Sequence, residues 1–185
     1  MRCFIALRTD GTEREALRPW LERARSDGGL AVTPADNLHL TLAFLGAIDG
    51  GRVEAAAGAA ASGAAAAGPG WRVRWAGHGV FGGRARPRVL WVGVDDAEST
   101  LARVHAAVSE RLRAEGFEVE SRAFRPHLTL ARARRPLAGD EAAGVLRLLD
   151  SVEVPVPSLV RSVALFQSHL GAGPARHEVV ADFPV

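Results

Sequence analysis

His39-Leu40-Thr41-Leu42-Ala43 recurs without a single change as His127-Leu128-Thr129-Leu130-Ala131. The 185-residue chain has six His and six Thr, so chance supplies roughly 0.2 matches to His-x-Thr, a level at which a short motif is only a hypothesis. Two identical pentapeptides, one in each half of the chain, exceed that. Both sit in stretches that read as β-strand, where residues i and i+2 leave the same face. His39 then lies beside Thr41 and His127 beside Thr129. Two imidazoles, each with a neighbouring hydroxyl, form a candidate acid–base pair for a phosphate ester.

Working outward, Leu38–Leu45 is the first motif strand, with Leu38, Leu40 and Leu42 on the face opposite His39 and Thr41. Pro126–Ala133 is the second. Arg2–Leu7 predicts an opening strand. Thr12-Glu13-Arg14-Glu15 fits a capping box ahead of an apolar stripe at Leu17, Trp20, Leu21 and Ala24, and Gly28-Gly29 ends that helix. Pro19 falls inside it and predicts a kink or a later start. An Ala-rich helix over Val53–Ala67 stops at Gly68-Pro69-Gly70, and Glu98–Glu115 carries a second stripe at Leu101, Val104, Val108 and Leu112. Trp71–Trp75, Val89–Val94, Phe117–Arg122, Val160–Ser168 and Arg176–Phe183 read as further strands, and Asp140–Leu149 as a last helix. The order helix, motif strand, helix, strand occurs about twice. The expectation is an α+β, bilobal fold in which each of two pseudo-symmetric lobes has a mainly antiparallel sheet flanked by helices. One histidine strand belongs to each lobe, and the active-site cleft lies between them. Residues 1–185 are expected to be one such domain.

Composition narrows the setting. No apolar run approaches the roughly 18 residues needed to cross a membrane, and Met1 leads straight into a strand rather than a signal peptide. The single Cys3 cannot form an internal disulfide. A cytoplasmic monomer with no membrane partner is the expectation. Net charge is +2, yet all 23 basic residues are Arg and none is Lys. Most of that bias is compositional, in a chain also rich in Ala and Gly. The local run Arg122, Arg125, Arg132, Arg134 and Arg135 is different, because it surrounds the second pentapeptide and Arg suits bidentate contact with phosphate.

Hydrolysis of a cyclic or diester phosphate needs a base for water, an acid for the departing alkoxide, and donors for the non-bridging oxygens. Imidazole, with an unperturbed pKa near 6.5, serves either proton role. His39 and His127 could divide them, with Thr41 and Thr129 donating to phosphate oxygens. No metal or other cofactor is expected: a zinc site wants three or four ligands, and Asp36 is the only acid close to either pentapeptide. Any of His78, His105, His169 and His177 could line a cleft, but a structural place is the expectation for each.

The stretches Asn37–Leu42 and Phe124–Arg132, together with Met1–Leu7 and Val163–Ser168, resemble the two-histidine (2H) phosphoesterases, in particular the RNA 2′,3′-cyclic phosphodiesterase or 2′-5′ RNA ligase-like branch. The resemblance implies a metal-free hydrolase, active in RNA processing, that opens a terminal 2′,3′-cyclic phosphate of RNA to a 2′-phosphate. It implies His39 as proton donor, His127 as proton acceptor, Thr41 and Thr129 as phosphate binders, and Arg132 as the basic residue after the second motif. Strand parity instead favours Arg125, which shares the face of His127 and Thr129; Arg132 joins that face only if the strand bulges first. The position in the first motif equivalent to Arg132 is Phe44, expected in the core, with stacking on a base as the alternative. Alternative substrates are small cyclic nucleotides or 2′-5′ oligonucleotides. The alternative to catalysis is a module that only binds RNA ends.

Overall fold

The alternation of the motif strands needs partners on both edges, and the topology supplies them. A computed structural model describes residues 1–171 and 173–185. Eight strands, β1 (Arg2–Thr9), β2 (Leu30–Val32), β3 (Leu40–Ala47), β4 (Arg72–Phe81), β5 (Val89–Asp95), β6 (His127–Ala133), β7 (Ser158–His169) and β8 (Arg176–Pro184), are linked through antiparallel pairs. The links are unequal. β3 meets β6 through one residue pair, Leu40 with Leu128, and β4 meets β7 through two, Arg72 with Leu159 and Val73 with Ser158. These thin joints divide the strands into two four-stranded antiparallel sheets, β3-β1-β7-β8 and β2-β6-β5-β4.

Four helices cover them: α1 (Thr12–Ala24), α2 (Val53–Ala67), α3 (Thr100–Ala114) and α4 (Gly139–Asp150). α2 packs on α3, β7 and β8, and α3 reaches β3, so this pair serves the first sheet. α1 touches both β2 and β7 and α4 touches β4, and the Trp20 indole N–H donates to the Leu148 carbonyl at 2.8 Å to join these two helices. The Ala-rich composition of α2 is a packing device: Ala56, Ala59, Ala60, Gly63, Ala64 and Ala67 form its buried face. At Gly63 an added Cβ would fall 2.6 Å from Val108 Cγ2, so the helices approach more closely than a side chain there permits. Each lobe therefore draws segments from both halves of the chain.

The expected α+β bilobal architecture is present, with a histidine strand in each sheet. Four local expectations change. β3 starts at Leu40, leaving His39 just before the strand. α1 runs through Pro19 from Thr12, but not by a capping box: Asp10 Oδ1 accepts from the Thr12 N–H and hydroxyl, while Glu15 pairs with Arg18. β4 continues past Trp75 to Phe81, absorbing one extra residue near Gly77, whose φ is +63°. Phe117–Arg122 is not a strand. Both edges of β6 are taken, by β5 on one side and by β3 and β2 on the other, so no backbone partner is left for it. Phe117 instead buries its ring beneath the Arg52 guanidinium, 3.7 Å from the ring centroid. Among the described residues no helix is long and apolar enough to cross a membrane.

Candidate active site

Leu38, Leu40, Leu42, Leu128 and Leu130 are all buried, which fixes the opposite faces of the two motifs toward the space between the sheets. The joint at Leu40 and Leu128 pairs the second residue of one pentapeptide with the second residue of the other. In an antiparallel pair this register, continued one residue each way, sets His39 toward Thr129 and Thr41 toward His127. A local two-fold axis thus relates the repeats. All four side chains line one cavity of about 710 Å³.

Each imidazole is oriented in the same way. His39 Nδ1 lies 2.7 Å from the Asn37 carbonyl and His127 Nδ1 lies 2.7 Å from the Arg125 carbonyl. A carbonyl oxygen only accepts, so Nδ1 carries the proton and Nε2 is left for the cleft. Asn37 is itself held, its side-chain amide donating to the Ala175 carbonyl at 2.6 Å. An aromatic ring packs on each histidine: Phe4 stacks on His39 at 4.7 Å, and Phe81 meets His127 edge-on at 4.9 Å.

The surroundings disfavour the imidazolium in both. Loss of hydration pushes His39 down to about 4, reinforced by His177, His127 and Arg132 and opposed by the bond to Asn37. His127 is lowered too, first by desolvation and then by Arg132. The surroundings of both rings thus favour the neutral imidazole, and an anion bound beside either would favour its charged form.

The arginines separate cleanly. Arg132 and Arg134 line the cavity, and Arg125 does not; what Arg125 gives the site is its carbonyl. Arg122 and Arg135 are engaged with Glu120 and Glu141. Simple alternation favours Arg125 over Arg132, and a bulge reverses it. Against β5, Trp91 pairs with Thr129 but Leu90 pairs with Ala131, so Leu130 is an extra residue. Leu130 and Ala131 both turn to the core, and Arg132 emerges on the face of His127 and Thr129.

The first copy bulges at the same place. Against β1, Ala6 pairs with Thr41 but Ile5 pairs with Ala43, making Leu42 the extra residue. Phe44 is consequently not in the core: it is 71% exposed and lines the cleft.

Sequence reasoning missed His177, which also lines the cavity. Its ring stands edge-on to His39 at 5.2 Å and to Phe4 at 5.0 Å, and its buried Nδ1 has no hydrogen-bond partner among the described residues. It arrives through the register of β8 on β7, where it pairs with Ser168, and no motif marks it. The other histidines lie elsewhere: His105 stacks on Phe124 at 3.9 Å, and His169 faces Glu178. Among the described residues no group of three or more His, Cys, Asp or Glu is placed to hold a metal ion.

Comparison with known proteins agrees with this geometry. An Archaeoglobus fulgidus protein named RNA 2′,3′-cyclic phosphodiesterase is 32% identical over 151 residues, covering 82% of this chain and 82% of that protein. A protein of the same name from Methanothermobacter thermautotrophicus is 29% identical over 94% of each chain. The crystal structure of Escherichia coli LigT complexed with 3′-AMP superposes with a TM-score of 0.76 over 100% of this chain and 97% of that one, at 23% identity, and so supports the fold. The sequence model of the 2′-5′ RNA ligase superfamily matches residues 13–171, and the chain belongs to that superfamily.

Proposed function

We propose that residues 1–185 form one two-lobed phosphoesterase that hydrolyses the terminal 2′,3′-cyclic phosphate of RNA to a 2′-phosphate, with two histidines and no metal. The observation that carries this reading is the antiparallel register of the two pentapeptides, which sets a histidine of each lobe against a threonine of the other inside one cleft. The relatives named RNA 2′,3′-cyclic phosphodiesterase support the substrate class.

In this mechanism the phosphate lies between the lobes, its non-bridging oxygens accepting from the Thr41 and Thr129 hydroxyls and from Arg132. His127 Nε2 takes a proton from water as the water oxygen bonds to phosphorus. The bond from phosphorus to the 3′ oxygen breaks, and His39 Nε2–H protonates that oxygen. One water is consumed, and a 3′-hydroxyl and a 2′-phosphate are formed. The donor role requires His39 to be protonated in the complex. The bound anion favours that state by offsetting the positive charge nearby and accepting a hydrogen bond from the imidazolium. Each correctly placed proton-transfer group contributes roughly 10²–10⁴-fold. One chain supplies every group named here.

The test is incubation of a short RNA ending in a 2′,3′-cyclic phosphate with excess chelator, comparing wild type, His39→Ala and His127→Ala. A 2′-phosphate from wild type, lost in both variants, is expected. Turnover that survives in both variants, or that stops with chelator, overturns the mechanism.

A further inference from the structure

His39 and His127 are built alike, and His177 is built the other way round. In each of the first two, Nδ1–H donates to a backbone carbonyl, so the neutral ring leaves a bare Nε2 for the cleft. In His177 the buried Nδ1 has no hydrogen-bond partner among the described residues, and it is the ring's only nitrogen in that condition. A proton there would make a buried N–H with no acceptor, a rarer orphan in proteins than an unpaired acceptor. The proton of the neutral ring therefore belongs on Nε2. His177 has a donor to offer where the other two offer an acceptor.

Its place is fixed by the sheet. His177 pairs with Ser168 across β8 and β7, and both residues line the cleft that holds the two motifs. The ring stands edge-on to His39 at 5.2 Å and to Phe4 at 5.0 Å, and Phe4 is itself stacked on Phe166 at 5.1 Å. It also borders a second cavity, of about 110 Å³, which Arg8, Arg14 and Asp36 share, yet none of these bonds its Nδ1. Burial disfavours its charged form. With ring planes at 83° and centroids this close, His39 and His177 can meet different oxygens of one phosphate, each at about 3 Å.

We propose that His177 is a third histidine of the phosphate site, donating its Nε2–H to a phosphate oxygen from the wall that carries His39. This rests on the phosphodiesterase reading and deepens it. In that reading His39 must be charged when it protonates the leaving oxygen, and Arg132 already opposes that charge. A further cation on the same wall would oppose it more. A neutral N–H holds an anionic oxygen without adding charge, which is the chemical reason for an imidazole here rather than a guanidinium.

Two measurements test this, one without turnover. Long-range proton–nitrogen NMR of the imidazole rings at pH 7.5 should show His177 as the Nε2–H tautomer and His39 and His127 as Nδ1–H. Inorganic phosphate should then shift all three rings. An Nδ1–H tautomer at His177 overturns the proposal, as does phosphate that shifts His39 and His127 but leaves His177 unmoved. Phosphate that shifts none of the three overturns the phosphate site as a whole, so the two failures are distinguishable. The second measurement is kcat/KM on a short RNA ending in a 2′,3′-cyclic phosphate. His177→Phe keeps an aromatic ring against Phe4 and removes the donor, and should lower kcat/KM roughly 10- to 100-fold, the scale of one hydrogen bond to a charged acceptor, with little change in melting temperature. His177→Gln, whose amide donates, should regain most of the loss. An unchanged rate in His177→Phe, or a loss that His177→Gln does not relieve, overturns the proposal.

Discussion

Leu40 and Leu128 form the one register pair that joins β3 to β6 among the described residues, and both side chains are buried at 1% exposure. The relative position of the two catalytic candidates therefore depends on an apolar pair that touches no substrate. Leu40→Ala removes buried methyl groups from that joint and should destabilise the protein by about 2–5 kcal/mol. Denaturant unfolding reads the loss; a change below about 1 kcal/mol would mean that the joint collapses without strain.

In the proposed mechanism the crossed register sets each threonine hydroxyl on a phosphate oxygen. Thr41→Val and Thr129→Val keep shape and delete one hydroxyl, so each should lower kcat about 10²–10³-fold, the usual effect of removing one donor from a developing phosphate charge. Melting temperature should hardly move, because neither side chain is in the apolar core. A rate loss matched by a large fall in melting temperature would instead make the threonines structural.

The bulge at Leu130 predicts unequal arginines. Arg132→Gln should reduce kcat/KM about 10- to 100-fold through loss of a charge-assisted bond to phosphate. Arg125→Gln should stay within about two- to three-fold, because only the Arg125 backbone carbonyl serves the site and the substitution preserves it. Equal losses in the two variants would show that both guanidiniums reach the phosphate.

His39 also makes stability depend on pH. Its pKa falls from 6.5 to about 4 on folding. The unfolded chain takes up its proton near pH 6.5 and the folded protein only near 4, so the neutral ring's contribution is complete above 6.5 and is lost as pH falls between these values. The loss amounts to about 3 kcal/mol at most. Unfolding free energies at pH 7 and pH 4.5 should differ less in His39→Gln than in wild type. His127 and His177 shift in the same sense, so the comparison isolates the share of His39. Equal differences in the two proteins would place the acid sensitivity elsewhere.

The amino-acid sequence alone determined the two histidine–threonine pairs, their strand setting, the buried leucine faces and the main helices. Periodicity and exact repetition are local properties, and burial of Leu38, Leu40 and Leu42 follows from alternation whatever the partner strand. The family resemblance was legible for the same reason, being carried by short contiguous stretches. Tertiary structure alone decided which residues after each motif enter the cleft. One residue inserted against a partner inverts the parity of everything beyond it, and an insertion exists only relative to the strand it is paired with. Arg132 came to line the cavity, and Phe44 left the core, through that single device. His177 came to the site by the pairing of β8 with β7, and Phe117–Arg122 found no place beside β6, both of whose edges are occupied. Such outcomes depend on contacts between segments far apart in the chain, which local pattern does not encode.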